Sequence, residues 1–185
     1  DNNPLIDALD LNLLSNHITD GENVPVIFLG HSAGALRSII AASQNSNTVA
    51  VLGLDLVDGQ DFLNGDEYFG TYYVTDLTIP VWGLSWEISQ CNSFGNGVNV
   101  YVQAMNGNNI GVTEADHCDF EFPTNFLCTI LCQGTNETFS DNEVKKVIIN
   151  LSTAFMIFHS GININAIQLW EPGNNYYDSL VTVGA

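Results

Sequence analysis

The stretch Val24-Pro25-Val26-Ile27-Phe28-Leu29-Gly30-His31-Ser32-Ala33-Gly34-Ala35-Leu36-Arg37-Ser38-Ile39-Ile40-Ala41-Ala42-Ser43-Gln44 decides how this chain is read. Pro25 to Leu29 is a short apolar run with β-branched and aromatic residues, the pattern of a fully buried strand. Gly30-His31-Ser32-Ala33-Gly34 follows at once, and Ala35 to Ala42 is small, apolar and helix-compatible. Strand, G-x-S-x-G and helix in this order put the serine on a sharp, strained turn with its hydroxyl above the sheet edge. The two glycines are expected to let that turn close without a Cβ clash. The helix N-terminus behind it offers free N–H groups and partial positive charge where an oxyanion would form, with Ala33 N–H as the first donor. The competing reading is a Gly-rich strand-to-helix turn in which Ser32 is an ordinary N-cap.

Outward from this stretch, Leu5 to Leu14 carries apolar residues at helical spacing and predicts an amphipathic helix closing near Asn16-His17. Thr48 to Leu54 predicts a second buried strand ending at Asp55, so that two strands joined by a helix form a parallel unit. Gly59 to Thr78 is a polar, aromatic-rich excursion with Phe62, Tyr68, Phe69, Tyr72 and Tyr73, read either as an insertion covering a site or as a surface loop docked on the body. Ile79 to Trp86 is a third strand, Val98 to Met105 a short helix, Ile110 to Thr113 a fourth strand and Pro123 to Leu131 another short helix. Ser140-Asp141-Asn142-Glu143 is a capping box opening a long helix to about Phe158. A last helical patch, Ile164 to Trp170, stops at Pro172-Gly173.

A serine hydroxyl becomes a useful nucleophile when a base takes its proton, and imidazole is the usual base at neutral pH. His31 lies inside the elbow and is expected to point elsewhere; His17 and His159 fall at helix ends remote from strand termini. His117 closely follows a predicted strand, in the loop Glu114-Ala115-Asp116-His117, at the sheet edge shared with Ser32. An acid to orient the imidazole has two main sources. Asp55 ends the strand after the elbow helix and Glu87 ends the next one; position alone does not separate them. Asp58, in L-V-D-G, also fits a turn before Gly59.

Charge narrows the partners. Three Lys and Arg stand against 21 Asp and Glu, a formal net charge of −18 in 185 residues. Such a surface repels nucleic-acid phosphates and anionic membranes, and no apolar run approaches the length that crosses a bilayer. The charged fraction is only 13%, so the acidity reflects missing bases more than a dense carboxylate coat. The four cysteines, Cys91, Cys118, Cys128 and Cys132, lack paired C-x-x-C spacing, which argues against a zinc site. Their even number, beside the sequons Asn136-Glu137-Thr138 and Asn150-Leu151-Ser152, leans toward disulfides and a secreted or otherwise oxidising setting, with four buried free thiols as the alternative.

The elbow G-H-S-A-G, the later L-G-L-D-L-V-D-G and the segment A-D-H-C-D-F-E-F-P-T-N-F-L-C resemble the α/β-hydrolase superfamily, in particular chlorophyllase-like and related bacterial serine hydrolases. The resemblance covers roughly Pro25 to Cys132. It implies an α/β-hydrolase fold, a mostly parallel sheet flanked by helices, in one domain over residues 1–185. It also implies a triad of Ser32, Asp55 and His117, with Glu87 and then Asp58 as second choices for the acid. Cys91 and Cys118 look like family positions, which implies a Cys91–Cys118 bridge pinning the histidine loop and leaves Cys128 and Cys132 as the other pair. The elbow lacks the Arg and second Gly of plant chlorophyllases, and Leu56 stands where the family has proline, so chlorophyll is not implied as the substrate. That fold has strands ahead of the elbow, where this sequence offers one helix; the expectation is a partial domain lacking the N-terminal strands, with the second oxyanion donor in that earlier part.

The expected activity is hydrolysis of a small-molecule or lipid-like carboxylic ester through an acyl-enzyme, with no metal or organic cofactor, no nucleic-acid partner and no stable membrane insertion. The alternatives are a non-catalytic binding module or inactive fragment of the same fold, and an acyltransferase.

Overall fold

The structure, a computed structural model, describes residues 3–59, 69–86, 88–124, 126–132 and 138–171. In chain order its elements are α1 (Pro4–Ile18), β1 (Val26–His31), α2 (Ala33–Gln44), β2 (Thr48–Leu54), α3 (Phe69–Val74), β3 (Pro80–Ser85), α4 (Val98–Gln103), β4 (Asn106–Gly111), α5 (Phe126–Cys132) and α6 (Asp141–His159). Short 3₁₀ turns cover Ser93–Gly95 and Ile164–Trp170.

The four strands form one parallel sheet in the order β1-β2-β3-β4, with Phe28 opposite Val51, Leu52 opposite Trp82 and Gly83 opposite Asn109. Each strand is laid beside its predecessor through a helical crossover, and successive crossovers of one hand fall on one face of the sheet. One core accordingly joins Ala8 of α1, Leu36 and Ile39 of α2, Val74 of α3 and Val100 and Tyr101 of α4 to Phe28, Val51 and Val81. The other face carries Ala50, Leu52, Leu54, Leu84 and Ile110 against Ile148, Leu151 and Phe155 of α6, with Trp170 closing the layer. The period-2 alternation of β2, Val51 to one side and Ala50, Leu52 and Leu54 to the other, makes the molecule helix–sheet–helix in section. The α/β reading with a parallel sheet flanked by helices therefore holds.

Three local expectations are corrected. The apolar run at β1 does not make a buried strand: Phe28 is its one buried residue and Leu29 is 41% exposed. Among the described residues β1 pairs with β2 alone, so it is an edge strand. Helix α1 is not amphipathic in the usual sense, since Leu5, Ile6, Leu9, Leu13, Leu14 and Ile18 are exposed and it docks through Ala8 and Asn12. Asn12 Nδ2 donates to the Ala41 carbonyl at 3.1 Å, and Asp7 pairs with Arg37 of α2. Strand β4 begins at Asn106 rather than Ile110. Asn-Gly-Asn-Asn has poor strand propensity, but the ladder to β3 and side-chain bonds from Asn106 to the Thr78 carbonyl (2.7 Å) and from Asn109 to Ser85 Oγ (2.9 Å) hold it extended.

The capping box at Ser140 forms, with Glu143 N donating to the Ser140 carbonyl and Ser140 N to Glu143 Oε2. The second sequon lies within α6 with Leu151 and Ser152 buried, while Asn136 falls outside the described residues. Of the excursion over 59–78, Phe62 and Tyr68 also fall outside; α3 buries Val74 and exposes Tyr72.

Candidate active site

Parallel strands bring all their carboxyl ends to one rim, and loops leaving that rim converge without further instruction. Ser32 follows β1, Asp55 follows β2, Trp86 follows β3, and His117 stands six residues past β4.

Ser32 takes φ 54° and ψ −126°, a left-handed backbone that a non-glycine residue holds only under constraint. The constraint is visible: Ser32 N donates to the Leu54 carbonyl at 2.9 Å, while its own carbonyl accepts from Ala35 N at 3.0 Å and Val57 N at 3.4 Å. Gly30 makes the tight turn possible, because a Cβ there would sit 2.3 Å from the Gly34 carbonyl oxygen. Gly34 has no such role, since a Cβ on it meets nothing within 4 Å; the expectation that both glycines are needed for closure is corrected. Ser32 makes no side-chain cap bond, so its hydroxyl is not spent as an N-cap. Ala33 opens α2, and an amide at that position has no carbonyl to meet inside its own helix.

His117 joins the serine to the aspartate. Its Nδ1 lies 2.5 Å from Asp55 Oδ2 and its Nε2 lies 3.1 Å from Ser32 Oγ. An ionised carboxylate only accepts. Nδ1 therefore carries the proton and donates to Asp55, and Nε2 is left as the acceptor for the Ser32 hydroxyl. Both Asp55 and His117 are buried. Asp55 Oδ1 accepts two further bonds, from Trp86 N at 3.2 Å and from Asn92 Nδ2 at 3.3 Å.

The histidine loop is held from several sides. Asp116 Oδ1 accepts from Cys118 N (2.7 Å) and Asp119 N (3.1 Å), and Asp119 Oδ2 accepts from Asp116 N (2.9 Å). Lys145 Nζ of α6 stands 3.6 Å from Asp119 Oδ1 and donates to Thr124 Oγ1 at 3.2 Å. Burial pushes the Asp119 carboxyl up to about 6, against the lowering by Asp116 N–H and Lys145.

The remaining expected positions divide clearly. Asp58 is buried away from this chain of bonds and accepts from Gly70 N (2.7 Å) and Thr71 N (3.2 Å) at the start of α3, its carboxyl raised by burial. Glu87 lies outside the described residues. His31 does not point away from the site: its ring centre is 4.6 Å from that of His117 and 6.4 Å from Phe120. Burial, and then the neighbouring His117, hold His31 below the ordinary histidine range, and its Nε2 is buried without a hydrogen-bond partner.

The cysteines form two disulfides, Cys91–Cys132 and Cys118–Cys128, rather than Cys91–Cys118 and Cys128–Cys132. Cys128 and Cys132 are one turn apart on the same face of α5, so both look toward the body, and each finds its partner there instead of bending the helix to reach the other. The Cys118, Cys128 and Cys132 sulfurs lie within 4.8 Å of one another and are all engaged in these bridges.

Sequence reasoning missed Asn92, Asp116, Asp119 and Lys145. The spacing Asp-x-x-Asp around His117 is a readable Asx-type loop signal, whereas one Asn in an Asn-rich chain carries none.

No protein-family profile matches this chain, and no curated protein matches it. Among solved structures it is similar to the esterase domain of a Rhodothermus marinus protein, at 14% identity and a TM-score of 0.47. That match covers 58% of this chain and spans 59% of the other.

Proposed function

We propose that this chain is a serine hydrolase of α/β-hydrolase type that cleaves carboxylic esters. The observation that carries the reading is the unbroken line of hydrogen bonds from Asp55 through His117 to Ser32. His117 Nε2 takes the proton of Ser32 as Oγ attacks the ester carbonyl carbon, and Asp55 holds the ring and balances the imidazolium that forms. Ala33 N–H stabilises the developing oxyanion, with the field of the α2 N-terminus behind it. Collapse of the intermediate expels the alcohol, which leaves with the proton from His117. Water, activated by the same nitrogen, then releases the acid and restores the serine. An alkoxide leaves more readily than an amide nitrogen, which favours esters over amides as substrates.

The substrate is a small or lipid-like neutral ester; the net charge of −18 disfavours nucleic acids and anionic surfaces. No described helix is long and apolar enough to cross a membrane. Two disulfides fit an oxidising compartment and a secreted role.

A fluorophosphonate label, followed by mass spectrometry, tests the reading. Ser32 is expected to carry the label, and Ser32→Ala or His117→Ala to abolish both labelling and p-nitrophenyl ester hydrolysis, by about 10⁵-fold or more in kcat. Intact, folded protein that takes no label and turns over no ester would instead be a binding module. Acyl transfer to an added alcohol in preference to water would make it an acyltransferase.

A further inference from the structure

His31 stands outside the proton path, yet it adjoins both ends of it. It immediately precedes Ser32, whose backbone is held at φ 54°, and its ring centre lies 4.6 Å from that of His117 with the planes inclined at 44°. The same ring stacks on the buried Phe120, 6.4 Å away and 15° from parallel. The elbow after β1 and the loop after β4 are thus joined by ring packing as well as by the hydrogen bond between Ser32 and His117.

Alternation along the strand places this ring. Leu29 and His31 leave β1 on one face. Leu29 is 41% exposed, whereas His31, two residues on, is half-buried where the loop from β4 reaches back to it. The His117 imidazole has Nδ1 on Asp55 and Nε2 on Ser32, so both of its nitrogens are engaged and the rest of the ring is carbon. His31 lies against that remainder. Its own Nε2 is buried with no hydrogen-bond partner, an arrangement that costs stability and that hydrogen bonding through that atom does not repay.

Charge decides whether such a neighbour helps. As Ser32 gives up its proton His117 becomes positive, and a second cation 4.6 Å away would oppose that step. The titratable groups facing His31 are His117, Asp55 at the end of β2 and Glu121 further along the histidine loop. Asp116, Asp119 and Lys145 are engaged with the loop backbone and, for Lys145, with Asp119. Burial, and then His117, outweigh the two carboxylates and hold His31 below the ordinary histidine range. At neutral pH it is therefore an uncharged ring beside a charge that comes and goes.

We propose that His31 is a positioning residue for His117: its ring holds the imidazole on the line from Asp55 to Ser32 and keeps water from the carbon side of it. The inference rests on the hydrolase reading and adds to the triad one residue that acts through the base.

Kinetics on a soluble p-nitrophenyl ester, with the rate of fluorophosphonate labelling followed across pH, test this in the full chain. His31→Ala is expected to lower kcat by about 10–100-fold with KM little changed, because a base displaced from its nucleophile affects reaction more than binding. Water admitted to an imidazole favours the charged form, so the acid limb of the labelling rate is expected to move about 0.5–1 pH unit higher. His31→Phe, which keeps a ring without a titrating nitrogen, is expected to leave the limb in place and to recover most of kcat. His31→Asn, which keeps a polar group without the ring, is expected to behave as His31→Ala does, and it serves in place of alanine if that variant does not fold. An acid limb that stays put when the ring is removed, or a rate recovered by His31→Asn and not by His31→Phe, would overturn the inference. Label on Ser32 of the parent reads the hydrolase separately. A labelled parent with indifferent His31 variants sinks the positioning role alone, and an unlabelled parent sinks both.

Discussion

Asn92 and Asp55 meet at the base of the candidate site, the carboxamide donating through Nδ2 to carboxylate Oδ1 at 3.3 Å. Asn92 is 1% exposed, and its own oxygen accepts from Ser89 N at 2.9 Å and Gly95 N at 3.0 Å. These two donors fix which way the amide faces, because a flipped group would set its oxygen against the carboxylate and its NH2 against the two backbone N–H donors. The loop after β3 is thereby built around one side chain that also steadies the acid. Hydrogen bonds to charged groups contribute about 1.5–3 kcal/mol. Asn92→Ala is expected to lower kcat on soluble esters by about 10–100-fold, with KM moving less. Asn92→Asp adds negative charge beside the aspartate–histidine pair and is expected to move the acid limb of the kcat/KM profile to higher pH. Rate–pH profiles check this, since a merely loosened loop lowers the rate without displacing the limb.

The two glycines of the elbow are expected to respond in opposite ways. Gly30→Ala drives a methyl to 2.3 Å from backbone, where no side chain can yield, so a loss of about 2–4 kcal/mol or failure to fold is expected. Gly34→Ala enters open space near the start of α2, where alanine is preferred over glycine by roughly 0.5–1 kcal/mol, and a gain of up to that amount is expected. Urea denaturation of both variants measures the contrast.

The disulfides differ in what they secure. Chain-entropy reasoning assigns about 3 kcal/mol to the Cys118–Cys128 bridge, with a separation of 10, and about 4 kcal/mol to Cys91–Cys132, with a separation of 41. Yet Cys118 adjoins His117, so the less stabilising bridge lies nearer the proposed chemistry. Cys118→Ala with Cys128→Ala is expected to cost more kcat, and Cys91→Ala with Cys132→Ala more of the melting temperature. Paired calorimetry and ester kinetics on the two double variants make the comparison.

A partly buried histidine and a buried aspartate give stability opposite pH dependences. His31 is held below 6.5 by burial and by His117, while Asp55 and Glu121 pull the other way. The folded state thus favours neutral His31; its contribution is complete above 6.5 and is lost as pH falls through the lower folded value. Asp119 is raised from 3.8 to about 6, so the folded chain keeps a proton that the unfolded chain releases between those values, and this contribution is lost as pH rises across that window. His31→Gln is expected to raise the melting temperature at pH 5 relative to pH 7.5 by about 2–4 °C compared with the parent, and Asp119→Asn to lower it by a similar amount. Thermal denaturation at the two pH values decides the signs.

How much of this was legible in the residues follows from what each signal reports. G-x-S-x-G flanked by an apolar run and a small-residue helix is a local arrangement, and the strand, turn and helix formed where the pattern placed them. Ser32 and His117 could be singled out because parallel strands deliver their ends to one rim, whereas Asp55 was tied with Glu87 by position and preferred only on the family resemblance; His117 lies within hydrogen-bonding distance of both Ser32 and Asp55. The exposure of β1 was not legible in its residues, because V-I-F-L reports how apolar a strand is and not how many neighbours it has; only the expectation of missing N-terminal strands pointed to it. The cysteine pairing depended on which way a seven-residue helix faces, which spacing does not encode. His31 was misread because alternation along β1 says which face a side chain leaves from, and not how far a loop from β4 will reach back to meet it.

All four strands run the same way, so the ends at Val26, Thr48, Pro80 and Asn106 gather at the rim away from Ser32. Ser46, exposed in the short link between α2 and β2, sits at that far rim. Since every cysteine of the sequence is already bridged, Ser46→Cys would supply a single thiol for coupling to a solid support. Molecules anchored there would all stand in one orientation, with the rim that carries Ser32 turned toward the solution.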